Sequence, residues 1–294
     1  LLSSAGVAAV LATGVVGGGD TNHGPREVAH SFFDGKVERE PSRGGVESDV
    51  PDRAALARPV PPSARDRPVP ILMYHLVSDP PPNAPFPNLY VSAFDFAQQM
   101  EWLKRRGYTG VTLRAAYDLW TRGVPLPRRP VVISFDDGYR SVWGTAQPVL
   151  QRLGWPGVLN LELNVLHNTR QGGLRKRMVR ELVAARWEVD SHTVSHPDLT
   201  KVDPGRLRDE LVRSRAAIRR TFGEPADFFC YPAGRYDAAV VAAVRRAGYL
   251  AATTTRFGSA TPDRMFTLNR VRINREDGLT GFKQKLGRLA RGDA

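Results

Sequence analysis

A chain of 294 residues with a hydrophobic fraction of 41% is long and apolar enough to enclose one large core with a pocket. Against 30 Asp and Glu it carries 42 Lys and Arg, a net charge of +12, yet the basic residues are scattered, with no aromatic-interleaved stripe or zinc-knuckle spacing, so nucleic acid is set aside as a partner. Cys230 is the only cysteine, which excludes an intramolecular disulfide and a cysteine-based zinc cluster.

In chain order, residues 1–19 are apolar, rich in small side chains and uncharged, as in an export signal or a membrane anchor lacking its basic leader. This run predicts a secreted protein, or one tied to the membrane or cell envelope through its N-terminus with the remainder outside. Residues 20–67 are polar and bear Pro and Gly without periodicity, the composition of a flexible linker. Order is expected from Pro68. PVPILMYHLV reads as a buried strand that stops at Ser78. Ser92 is placed to cap a helix with Phe96, Met100 and Leu103 on one face, and Gly107 ends it. The strand YTGVTL and the short helix RAAYDLWTRG follow, then PVVISF, an apolar run suited to a strand covered on both faces.

Next come a helix over 141–153, the strand VLNLEL, a helix over 174–185, the strand WEVDS and a long helix after Pro204. The strand DFFCY, a helix over 238–246 and the strands YLAATTT and TLNRVRIN complete the series. This alternation predicts an α/β fold, a parallel sheet or a (β/α) barrel, in which functional groups gather where strands end. Asp136 and Asp137 follow one strand, His192 another, and Tyr231, Pro232, Ala233 and Gly234 a third, while His75 closes the first. Four strand ends therefore deliver chemistry to one rim.

His192 and His196, four apart, can reach one ion with one of the two aspartates, the three-ligand set that leaves a zinc position open. Adjacent side chains at a strand-to-loop bend diverge, so one aspartate can be a ligand while the other takes a proton from water acidified by the metal. Histidines at this spacing also occur as hydrogen-bonded structural pairs, and Asp-Gly is a common turn pair. A turn does not explain the second carboxylate, which would be costly unpaired after a buried strand. Two imidazoles and a carboxylate accept Co2+ or Ni2+ as well as Zn2+.

The runs VVISFDDGYRS, WEVDSHTVSHPDLT and FFCYPAGRYD, with the opening PILMYH, resemble in order the motifs of the polysaccharide deacetylase family, carbohydrate esterase family four, with its NodB-type domain. The resemblance runs from Pro68 to Asn274 and implies a distorted (β/α) barrel as the catalytic domain over 68–290. It also implies a divalent metal, usually zinc, and removal of N-acetyl groups from N-acetylglucosamine-containing polysaccharides. Position by position, Asp136 resembles the catalytic base, Asp137, His192 and His196 the metal ligands, and Tyr231, Pro232, Ala233 and Gly234 the wall of the substrate groove, with a backbone N–H near Ala233 aiding the oxyanion. Two departures stand out. Cys230 occupies a position where many relatives have an Arg that orients the base, and no histidine follows His196, so a late Leu-x-His motif is missing.

His75 is the candidate replacement acid, as in the branch acting on poly-β-1,6-N-acetylglucosamine, and Arg270, which shares a strand face with Arg272, is the candidate replacement arginine. Two other readings stay open: a silent carbohydrate-binding relative, and an amide hydrolase of the same fold with a small non-sugar substrate. The polymer, among β-1,6-linked N-acetylglucosamine, peptidoglycan, chitin and acetylxylan, and the oligomeric state have no readable code.

Overall fold

The computed structural model describes residues 61–169 and 172–292. The expected export segment at 1–19 and all of the linker but its last residues lie outside them. Those last residues are anchored: Pro62–Ala64 form a 3-10 turn, and the Arg67 carbonyl accepts the Trp120 indole N–H at 3.0 Å. No helix among the described residues is long and apolar enough to cross a membrane.

The strands are β1 (Ile71–Tyr74), β2 (Leu76–Val77), β3 (Tyr90–Val91), β4 (Thr109–Val111), β5 (Pro130–Asp137), β6 (Val158–Leu161), β7 (Glu188–Ser191), β8 (Phe228–Cys230), β9 (Ala251–Thr253) and β10 (Val271–Arg272). The helices are α1 (Ala93–Arg105), α2 (Leu113–Arg122), α3 (Gln147–Leu153), α4 (Lys176–Ala184), α5 (Pro204–Phe222), α6 (Ala238–Arg246) and α7 (Gly278–Arg291). Eight strands form one parallel sheet in the order β10-β1-β5-β6-β7-β8-β9, with β4 beside β5. The sheet curls until one segment touches both edges. Thr254 donates its N–H to the Leu268 carbonyl and Arg270 donates to the Arg256 carbonyl, while the next residue, Val271, pairs with Leu72 of β1. This is the expected distorted α/β barrel.

The two faces of the sheet bury different sets of side chains. Leu72, Tyr74, Ile133, Phe135, Leu159 and Val189 pack outward under the helices, where Phe135 stacks on Trp187 with centroids 5.3 Å apart. Ile71, Val132, Val158, Phe228, Ala251 and Leu268 pack in a separate inner cluster. Because alternate residues face opposite sides, strand register also aligns polar positions: Asp136 lies beside Asn160, and Asn160 beside Asp190.

Three features depart from the expected elements. The first strand breaks at His75, and Leu76–Val77 pair instead with Tyr90–Val91, tying down the proline-rich loop. The helix expected over 141–153 opens as a π-helical turn, Val142–Ala146, before α3. The helix α7, outside the periodicity read from the sequence, packs Phe282 against Trp102 of α1 at 5.9 Å.

Glu188 and Asp190 stand two apart on β7, on the same side of the strand. Burial raises the Glu188 carboxyl, and burial together with the adjacent Glu188 charge raises Asp190 well above the usual range, so Asp190 keeps the proton. A carboxyl raised in the folded state favours folding at low pH and loses that contribution as pH rises through its folded value. Urea midpoints taken at about pH 8 and about pH 5 should show wild type gaining more on acidification than Asp190→Asn, which lacks the titrating group.

Candidate active site

β5 ends on Asp136, which is 2% exposed, and Asp137, whose φ of 72° turns its side chain away from that of its neighbour. Gly138 follows with φ of 113°, where a Cβ would lie 2.9 Å from both Leu161 and Val165, so only glycine closes this turn. The buried Asp136 meets a buried cation. Arg270 donates from Nη1 to Oδ1 at 2.7 Å and from Nη2 to Oδ2 at 2.8 Å, a bidentate charge-assisted pair. Its Nε donates to the Thr254 carbonyl at 2.7 Å, and Nη2 lies 3.2 Å from Cys230 Sγ. The small thiol leaves the guanidinium room. Burial alone would raise the Asp136 carboxyl, but Arg270 outweighs burial and holds it far below the usual range. The Arg270 guanidinium is raised in turn, Asp136 outweighing the effect of burial.

Two further groups touch this carboxylate. Asn160, inside the otherwise apolar VLNLEL, donates from Nδ2 to Asp136 Oδ1 at 2.8 Å. Its register beside Asp136 puts it there, and the signal in the sequence was a lone amide within an apolar strand. His75 Nε2 lies 3.9 Å from Asp136 Oδ2. Burial is the main cause of a lowered His75 pKa, so the ring rests neutral at pH 7.

The second cluster lies beside the first. His192 Nε2 is 3.4 Å and His196 Nε2 3.8 Å from Asp137 Oδ1, and the candidate ligand atoms of all three lie within 4.8 Å of one another. Donors around one tetrahedral zinc stand roughly 3.3 Å apart, so small adjustments suffice. His192 Nδ1 donates to the Cys230 carbonyl at 2.8 Å, which fixes the ring and turns Nε2 toward Asp137, as a metal-binding imidazole requires. His192 is 2% exposed whereas the His196 side chain is 34% exposed, so the cluster opens to solvent on one side. Asp136, His192 and Cys230 are also close enough to share an ion, but Asp136 is committed to Arg270 and Asn160.

The loop after β8 corrects one expectation. Tyr231 and Pro232 are buried, and the Tyr231 hydroxyl donates to the Phe266 carbonyl at 3.0 Å. Aromatic packing with Phe229 at 5.3 Å and Tyr236 at 5.0 Å draws the phenol inward, so it supports the loop and cannot face a substrate. Ala233 is the exposed member of the four and Gly234 is half-buried. The N–H groups of Gly234 and Arg235 are spent on Tyr231 and Pro232. At Gly234 a Cβ would sit 2.1 Å from Thr255 Oγ1.

Residues 123–252 match the polysaccharide deacetylase family. The crystal structure of BA0330 from Bacillus anthracis, assigned to that family, is 30% identical with a TM-score of 0.65, covering 74% of this chain and 69% of that one. The chain belongs to the polysaccharide deacetylase family. Another similar member by name is YxkH of Bacillus subtilis, 28% identical over 214 residues, 72% of this chain and 73% of YxkH. The poly-β-1,6-N-acetyl-D-glucosamine N-deacetylase of Escherichia coli K12 is 34% identical over 87 residues, 30% of this chain but 13% of the length of that protein.

Removing one partner of a buried ion pair strands the other charge. Arg270→Met should therefore lower unfolding stability by about 3–5 kcal/mol in denaturant titrations. Arg270→Lys should recover only part of it, because one ammonium cannot span both carboxylate oxygens.

Proposed function

We propose that this family member removes N-acetyl groups from N-acetylglucosamine units of an extracellular or cell-wall polysaccharide, using a divalent metal. The observation that carries the reading is the adjacency of two carboxylates in opposite settings. Asp136 is locked by Arg270, while Asp137 is turned toward two imidazoles. Asp137, His192 and His196 would hold the ion, with Zn2+ the first choice and Co2+ or Ni2+ accepted by the same donors. When bound, such an ion polarises the acetyl carbonyl and acidifies water.

The chain's own groups do the rest. Asp136 takes a proton from the attacking water, and Arg270 and Asn160 keep its free lone pairs aimed. Because Arg270 holds the carboxyl so low, Asp136 passes the proton on. His75 starts neutral, so the proton it gives the departing amine is one gained during the cycle, and Asp136 Oδ2 at 3.9 Å is its nearest acidic neighbour. Acetate and a glucosamine unit result. The likeness to the Escherichia coli enzyme favours β-1,6-linked N-acetylglucosamine as the polymer. The apolar run at residues 1–19 favours a protein exported or anchored with this domain outside.

Acetate release should be measured on poly-β-1,6-N-acetylglucosamine, chitin oligosaccharides, peptidoglycan and acetylxylan, before and after stripping the metal. Activity should vanish with a chelator, return with Zn2+, and be absent in Asp136→Asn. Metal-independent acetate release, or binding without turnover, would refute the reading.

Leaving-group dependence isolates His75. His75→Ala should slow amide cleavage by about 10²–10⁴-fold yet barely affect 4-nitrophenyl acetate, whose leaving group needs no proton. Equal losses on both substrates would remove His75 from the acid role.

A further inference from the structure

The loop between the two histidines has an unusual backbone. Thr193 has φ of 72° and His196 φ of 53°, and neither is glycine. Each such residue costs on the order of 1–3 kcal/mol unless its surroundings enforce the conformation. Between them the chain presents successive N–H groups to one side, and a single carboxylate fills that concavity. Glu210 of α5, 6% exposed, accepts Val194 N–H at 2.8 Å and Ser195 N–H at 2.9 Å on Oε2, and the Ser195 hydroxyl at 2.5 Å on Oε1. Thr193 Oγ1 completes the turn by accepting the His196 N–H at 2.8 Å. Backbone concavities of this kind bind free anions in other proteins. Here the anion is built in.

We propose that Glu210 is a positioning residue for metal binding, an internal anion that holds the left-handed loop so that His196 faces Asp137 before any ion arrives. This rests on the proposed metal-dependent function and adds to it a residue in contact with neither metal nor substrate. Among the described residues the nearest cation to Glu210 is Arg206, with Nε 3.9 Å from Oε1 and a side chain 55% exposed, a weak competitor for the carboxylate. Three hydrogen bonds to a buried charge outweigh it. Without them, Thr193 and His196 can relax out of the left-handed region. His196 Nε2, 3.8 Å from Asp137 Oδ1 in the structure, then has no fixed place.

The test is zinc affinity of the full chain, read by competition with a chromophoric chelator, alongside the melting temperature of the metal-free protein. Outer groups that orient metal ligands typically contribute about 10–100-fold in affinity, and a loss of that size is expected for Glu210→Ala. Glu210→Gln should stay within about threefold of wild type, since its amide oxygen still accepts both N–H groups and its NH2 can donate to the Ser195 hydroxyl. A purely structural glutamate would lower the melting temperature while leaving the affinity of the folded protein unchanged. Should Glu210→Ala fail to fold, Ser195→Ala removes the Oε1 contact alone and should weaken zinc by about threefold, one hydrogen bond's worth. Unchanged affinity in Glu210→Ala, or in Ser195→Ala where that variant stands in, overturns the inference, as does a Gln variant as weak as the Ala one. Wild type that takes up no zinc would instead bring down the reading of the site, and this inference with it.

Discussion

The buried pairing of Arg270 with Asp136 is the interaction around which the rim is organised. An isolated carboxylate inside the sheet would take up a proton or force the strand end open, because removing a charge from water costs several kcal/mol. The bidentate guanidinium removes that option and fixes the plane of the carboxylate. Asn160 from the next strand and Cys230 from β8 then fit around a group that is already immobile. The arrangement trades basicity for a permanent charge: Asp136 cannot retain a proton, which suits the proposed base, whose proton has to leave in each cycle.

Asp137, one residue on, lives in a different regime. Its left-handed backbone swings the side chain away from Arg270 and toward two imidazoles, one locked by a main-chain carbonyl and one on a loop held by Glu210. Two neighbours in sequence thus acquire separate chemistry from a single φ angle and the glycine after it. Of the seven described non-glycine residues with positive φ, three, Asp137, Thr193 and His196, lie in or next to the candidate ligand set.

Much of this is legible in the sequence. Strand-to-helix alternation gave a parallel sheet or a barrel and the family resemblance chose the barrel, while three strand ends put His75, Asp136, Asp137 and His192 on one rim, with His196 four residues on. Arg270 is legible only through the family resemblance, which implies an arginine where Cys230 stands and so makes Arg270 the candidate replacement. What stayed hidden depends on distance across the fold. Asn160 reads as a minor blemish in an apolar strand until register sets it beside Asp136. Glu210 is one of many charges on a helix full of them, and nothing local marks it as facing a loop 15 residues earlier. Tyr231 is placed on the groove wall by the family resemblance alone, but packing with Phe229 and Tyr236 and the bond to the Phe266 carbonyl draw its side chain inward. The break at His75 and the helix α7 depended on pairings with the proline-rich loop and with α1, which periodicity does not report.

The segment that seals the barrel is also the one that carries Arg270, 134 positions after the carboxylate it neutralises. Until that segment docks, Asp136 has no counter-charge, and its environment cannot be dry. Closing the barrel and neutralising Asp136 are therefore one folding event: the rim is complete only once residues 268–272 lie between β9 and β1.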